Sequence, residues 1–255
     1  MNDPEVPVAR PEEDAPRPRR RRRGCRRWLA AAALLILAWL GWEAATWPDV
    51  AALATENPET TAFIERYEAR QRRAGASDAA AWTWVPYGRI SPHLKRAVLV
   101  SEDIGFFDHH GFAGEEIREA LRTAWREREA PRGASTLTQQ VAKNLWLTPS
   151  YNPLRKLEEA LLTRQLERHL DKRRILEIYL NVAEFGPGVY GAEAAARHYF
   201  GTSAAGLSER QAAELAAALP RPSTWHPGAG GRGYRRHVER IRGRMDKAAW
   251  LWRVI

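Results

Sequence analysis

The sequence predicts a mostly α-helical protein: a single N-terminal transmembrane helix followed by one α-helical domain. Three observations carry this reading. An apolar stretch, 28–47, directly follows a run of arginines. From residue 50 onward apolar positions recur with helical period, without convincing strand alternation. Ser, Asn and Asp residues also stand where helix caps belong.

Composition limits the alternatives. The 255 residues carry 40 Lys+Arg against 31 Asp+Glu, a net charge of +9, and one cysteine. A lone Cys25 removes both a disulfide framework and a cysteine-based zinc site. The first 47 residues hold nine arginines and six acids, so the remaining 208 carry a surplus of only +6. Spread over a whole domain, that surplus does not argue for nucleic acid as a partner.

Taken in order, residues 1–27 read as a disordered, basic cytoplasmic tail, because the first 18 are Pro, acids and Arg with almost nothing to bury. Eight arginines between positions 17 and 27 place that side in the cytoplasm. As one helix, 28–47 spans roughly 30 Å, the thickness of a bilayer core. Trp28, Trp42 and Trp47 fall where an aromatic belt belongs; Trp39 does not. A cleaved signal peptide is the main competitor, but the Glu43 to Trp47 segment makes a poor cleavage site.

Residues 48–85 read as a membrane-proximal connector with a helix from Pro58 to about Arg73, stopped at Ala74 and Gly75. The segment 86–225 forms the main domain. Ser91-Pro92 caps and opens a helix that delivers Ser101, Glu102 and Asp103 near its C-terminal end. Asn152-Pro153 and Asp171 open two more, and Ser208 to Gln211 is a capping box before Ala212 to Leu219, stopped by Pro220. Residues 226–255 are a loop and a basic amphipathic helix. Tyr234, Val238, Ile241, Met245, Ala248 and Trp252 share one face, with most of the basic residues outside it. Such a helix packs on the domain or, alternatively, lies against anionic headgroups. Gly228 to Gly233 fits a nucleotide-binding glycine pattern but follows no strand, so it reads as a loop.

Three segments concentrate chemistry. Glu102 to Gly111 combines an acidic pair, an aromatic pair and His109-His110; adjacent histidines point apart, so a zinc site is disfavoured. Gly133 to Asn144 gives a helix with Leu137, Val141 and Leu145 behind. Thr136, Gln139, Gln140, Lys143 and Asn144 stand in front, a face suited to a polyol beside an anion. Free N–H groups at Ser135 and Thr136 would favour that anion. Asn152 to Glu159 sets Arg155, Lys156 and Glu159 on one arc and Leu154, Leu157 and Leu161 on the other. Alone, that arc is a surface ion pair worth a few tenths of a kcal/mol. Beside Glu102 it becomes a two-carboxylate site with a phosphate clamp.

These segments, in order, resemble the motifs of glycosyltransferase family 51, the biosynthetic peptidoglycan transglycosylases. They read E-D-x-x-F-x-x-H-x-G from Glu102, G-x-S-T-x-T-Q-Q from Gly133, R-K-x-x-E from Arg155 and K-x-x-I-L-E-x-Y-L-N from Lys172. A fifth runs from Gly188 to Gly201, and the resemblance covers roughly residues 86–225. No Ser-x-x-Lys occurs, so a penicillin-reactive transpeptidase centre is not expected and the monofunctional form is implied.

The resemblance implies a lysozyme-like α-helical glycosyltransferase domain, with a smaller subdomain dipping into the membrane, sought around 106–130 and at Trp146-Leu147. The implied reaction polymerises lipid II into β-1,4-linked glycan and releases undecaprenyl pyrophosphate. Glu102 would be the base, and Lys143, Arg155 and Lys156 would stabilise the pyrophosphate. Glu159 would orient them, assist the leaving group or hold a divalent cation, Mg or Mn. Asp103, Phe106, His109, Ser135, Thr136, Gln140 and Asn144 would shape substrate subsites. The implied setting is the bacterial inner membrane, single-pass, with the catalytic domain extracytoplasmic. Expected partners are lipid II, lipid-linked glycan, the membrane and cell-wall synthesis proteins, but not nucleic acid. Two rivals remain: a lytic transglycosylase or muramidase, and a non-catalytic membrane-anchored protein of the wall machinery.

Overall fold

The computed structural model describes residues 46–76, 79–112, 114, 135–149 and 153–255, with single positions between 28 and 41. Residues 49–255 form one compact unit and 1–48 another. The expected tail, and most of the expected transmembrane stretch, lie outside the described residues. Described positions from 28 to 46 are helical and exposed, Trp28, Leu34 and Leu37 among them, whereas Trp47 is non-helical and half-buried. Among the described residues, no helix is long and apolar enough to cross a membrane.

Eight α-helices are described: α1 (Ala62–Arg73), α2 (Pro92–Glu102), α3 (Leu137–Trp146), α4 (Pro153–His169), α5 (Lys172–Val182), α6 (Ala192–Phe200), α7 (Glu209–Ala218) and α8 (Arg232–Lys247). Local side chains set their ends. Thr61 caps α1 by accepting the Ile64 N–H, so this helix starts later than the Pro58 expected from sequence. Ser91, Asp171 and Ser208 cap α2, α5 and α7 as expected, the last within a capping box with Gln211. Thr136 and Gln139 form a second capping box at the start of α3.

The helices pack as two groups. α3 lies against α1, α4 and α5, while α7 lies between α2 and α8. Leu99, Leu137, Leu162, Leu166, Leu176 and Phe185 are fully buried. On α8, Tyr234, Val238, Ile241 and Met245 are buried against the domain, and Tyr234 Oη donates to the Glu214 carbonyl at 2.8 Å. The apolar face of α8 is therefore used within the fold and is not offered to headgroups. Trp252 leaves that face: it is exposed in the short 3-10 helix Ala249–Arg253, edge-on to His93 and under the Arg96 guanidinium.

One element escaped the sequence. A small sheet of order β1-β3-β2 joins Ala81–Trp82, Val189–Tyr190 and Glu184–Gly186, with β1 parallel and β2 antiparallel to β3. Strands of two or three residues cannot display an alternating pattern. This sheet fastens the connector to the end of α5. Trp82 Nε1 donates to the Asn181 carbonyl at 2.7 Å, and the Asn181 amide exchanges hydrogen bonds with the Val85 backbone at 2.8 and 2.9 Å.

Candidate active site

Glu102 is the last residue of α2, at the negative end of the helix dipole. Ser101 Oγ donates to its Oε1 at 3.2 Å and Gln140 Nε2 to its Oε2 at 3.1 Å. Burial raises its proton affinity above that of an ordinary carboxyl. The two hydrogen bonds and Lys143 act against that rise, and Asp103 adds to it. A carboxylate tuned upward in this way can accept a proton from a hydroxyl.

Behind Glu102 lies a buried scaffold. The Asp103 carboxylate contacts His109 Nε2 at 3.0 and 3.1 Å and accepts the Leu137 N–H, the first of α3, at 3.0 Å. His109 Nδ1 accepts the Gly111 N–H at 3.1 Å, which leaves the ring proton on Nε2, facing Asp103. The Gly111 carbonyl accepts Thr136 Oγ1 at 2.8 Å. Gly111 has φ +82°, and a Cβ there would lie 2.8 Å from Thr163 Cγ2 and 2.9 Å from Glu167 Cγ, so only glycine fits. This chain of bonds locks the end of α2 to the start of α3 and thereby sets Glu102 against Gln140.

Opposite stands the cationic group. Glu159, buried on α4, accepts Arg155 Nη1 at 2.7 Å and also bonds Lys156 Nζ. Lys143 on α3 is pushed below ordinary lysine proton affinity by burial. Glu159 and Glu102 pull it back up, and Arg155 and Lys156 push it down. Lys143 thus lies within electrostatic range of both carboxylates and both α4 cations. Its ammonium makes no hydrogen bond among the described residues, leaving a desolvated cation for an incoming anion.

The family model for transglycosylases matches residues 60–246. The chain belongs to the transglycosylase family. It is 47 % identical over 230 residues to the biosynthetic peptidoglycan transglycosylase of Azoarcus sp. (strain BH72), covering 88 % of this chain and 96 % of that one. The corresponding proteins of Laribacter hongkongensis and Chromobacterium violaceum are 47 % identical over 193 residues and 44 % over 217. The first match covers 76 % of this chain and 85 % of that protein, the second 85 % and 92 %.

The transglycosylase fold brings Glu102, Gln140, Lys143, Arg155, Lys156 and Glu159 into one electrostatic neighbourhood, but assigns other expected site residues to its scaffold. Phe106 is fully buried, edge-on to Phe107 and His109 with Lys172 Nζ 4.5 Å from its ring centroid. It has no surface for a sugar. Asp103 and Thr136 are buried in the network above, and Asn144 is buried as well. Ser135 is exposed, just before the cap. Of the N–H groups expected to be free at Ser135 and Thr136, that of Thr136 is accepted by Gln139 Oε1 at 2.9 Å, and further along Asp103 takes that of Leu137 and Thr136 that of Gln139. On α4, Leu154, Leu157 and Leu161 are 54 %, 57 % and 46 % exposed; the packed side is Glu159, Leu162, Thr163 and Leu166. Leu147 is buried, with its carbonyl accepting Arg66 Nη2 at 2.6 Å, so it does not face lipid; residues 115–130 lie outside the described residues.

Glu159 is a poor fit for a metal ion. Both of its oxygens are committed to Arg155 and Lys156, and no three His, Cys, Asp or Glu among the described residues are grouped to share one. Two contributors were not singled out from sequence. Tyr179 Oη donates to Gln140 Oε1 at 3.2 Å, and Glu167 accepts Thr138 Oγ1 at 2.5 Å and Lys172 Nζ at 2.8 Å. Tyr179 stands inside the K-x-x-I-L-E-x-Y-L-N motif, but its place on the apolar face of α5 reads as core.

Proposed function

We propose that this transglycosylase is a peptidoglycan glycosyltransferase that polymerises lipid II into β-1,4-linked glycan strands, releasing undecaprenyl pyrophosphate. The observation that carries the reading is one electrostatic neighbourhood holding a carboxylate of raised proton affinity, Glu102, and three cations, the desolvated Lys143, Arg155 and the half-exposed Lys156. Glu102 removes the proton of the acceptor GlcNAc 4-hydroxyl as that oxygen bonds to MurNAc C1 of the donor. The C1–O bond to pyrophosphate breaks from the opposite face, inverting C1, and the electron pair leaves with the pyrophosphate. Lys143, Arg155 and Lys156 stabilise that charge, and Glu159 holds the two α4 cations in place. No step is routed through a metal.

The cationic cluster favours synthesis over lysis. A muramidase or lytic transglycosylase uses carboxylates to cut a neutral glycosidic bond and has no pyrophosphate to stabilise. The raised Glu102 and desolvated Lys143 likewise favour an enzyme over a non-catalytic wall protein.

The setting we propose is the bacterial inner membrane, single-pass, with residues 28–47 as anchor, the N-terminus cytoplasmic and the catalytic domain outside. The arginine run beside an apolar stretch supports it. So does substrate chemistry, since withdrawing a C55 chain from the bilayer costs about 0.8 kcal/mol per CH₂. The exposed leucines of α4, on the helix that carries Arg155 and Lys156, are suited to contact the lipid end of the donor.

Glu102→Gln keeps the shape and the Gln140 contact but removes the base. Strand formation from labelled lipid II is expected to fall by at least about 100-fold with thermal unfolding unchanged. Unchanged polymerisation in that variant would refute the role of Glu102.

A further inference from the structure

We propose that Tyr179 is a positioning residue for the reaction: it fixes the amide orientation of Gln140, so that Gln140 presents its NH₂ group, and not its carbonyl, to Glu102. The inference rests on Glu102 being the base.

The geometry is a three-residue relay across three helices. Tyr179 on α5 is 1 % exposed, and its hydroxyl donates to Gln140 Oε1 at 3.2 Å. Gln140 on α3 then donates through Nε2 to Glu102 Oε2, at the end of α2, at 3.1 Å. A side-chain amide has a donor end and an acceptor end of nearly the same shape, so shape alone does not choose between its two orientations. Tyr179 completes the choice. Burial, with Glu102 and Asp103 nearby, holds its proton affinity well above the ordinary phenol value, so the hydroxyl keeps its proton and donates it to Oε1; both amide ends are then paired, whereas reversal would set Oε1 against the acceptor-only carboxylate of Glu102. With Oε1 held there, Nε2 faces the carboxylate. Without the hydroxyl the amide can turn over, placing a carbonyl against Glu102, and that arrangement favours the protonated acid.

Other groups facing Glu102 do not supply this control. Ser101 and Asp103 flank it on the chain, and Asp103 is held by His109 and the Leu137 N–H. Lys143 on α3 acts through charge, as do Arg155, Lys156 and Glu159 on α4 through their effect on Lys143. Glu209 of α7 pairs with Arg96 and His93 toward the far end of α2, where Trp252, from the 3-10 helix after α8, also packs.

The test is Tyr179→Phe, which keeps the ring, in the full chain in detergent. The Glu102 titration is followed by carboxyl ¹³C NMR, assigned with Glu102→Gln, alongside the pH profile of kcat. Losing a hydrogen bond to a charged group is expected to raise the Glu102 midpoint by about one pH unit. The acid limb of kcat should move with it, so that turnover on that limb falls about tenfold at fixed pH and recovers above it. In a Gln140→Ala background the same Tyr179→Phe change is expected to do nothing further, since the relay is already cut. An unmoved midpoint, or a shift that persists without Gln140, overturns the proposal. A midpoint that moves while the acid limb stays supports the relay and overturns the assignment of Glu102 as base.

Discussion

At the scale of single residues, the site is a problem of two proton affinities displaced in opposite directions. As the proposed base Glu102 must be ionised, and burial raises its proton affinity. In its proposed role at the pyrophosphate Lys143 must be charged, and burial lowers its proton affinity. Activity should therefore be lost at a higher pH than an ordinary carboxylate would give as the medium is acidified. It should also be lost at a lower pH than an ordinary lysine would give as it is made alkaline. The kcat profile checks this: a narrowed bell is expected, with Lys143→Arg moving only the alkaline limb upward. A broad plateau reaching to pH 4 would contradict the shift at Glu102, since that is where an unperturbed carboxyl titrates. Residue type and order singled out Glu102, Lys143, Arg155, Lys156 and Glu159, which the fold brings into one electrostatic neighbourhood. The burial of Asp103, Phe106 and Thr136 was not legible, because a motif records that a residue matters without saying whether it lies at the surface or within the packing.

At the scale of elements, caps were the most readable feature. Ser91, Asp171 and Ser208 each end up accepting a backbone N–H, because that chemistry is local and owes nothing to distant packing. Faces were less readable. α4 exposes Leu154, Leu157 and Leu161 while burying Glu159 and Thr163 beside Leu162 and Leu166. Periodicity shows which residues share a side but not which side packs, and here the buried polar groups are satisfied within α4: Glu159 by Arg155 and Lys156, and the Thr163 hydroxyl by the Glu159 carbonyl. If the leucines meet the donor lipid, Leu157→Glu should raise KM for a C55-linked donor by about tenfold, roughly the worth of one buried leucine. A donor with a short lipid chain should be affected much less, and thermal unfolding should not change. Equal effects on both donors would remove the leucines from lipid recognition. The three-stranded sheet was invisible for a different reason. Its strands are too short to carry a pattern, and β1 pairs with β3 across more than a hundred residues of chain.

At the scale of the whole molecule, the +9 charge separates into parts with distinct work. In the proposed reading, the arginines before residue 28 would mark topology, and Lys143, Arg155 and Lys156 would form the anion clamp. The basic residues of α8 ride on a helix whose apolar face is spent on α7 and α2. A mostly helical domain was legible from periods and caps, whereas its division into two helix groups depends on contacts that no local pattern encodes. In the proposed reaction this assembly builds glycan at the expense of a lipid pyrophosphate. The most direct measurement incubates the purified full chain in detergent with labelled lipid II, and separately with preformed glycan strands. Long β-1,4-linked strands are expected, with undecaprenyl pyrophosphate released in step and no shortening of the preformed strands. Shortened strands, or lipid II left unpolymerised by folded protein, would contradict the proposed reaction.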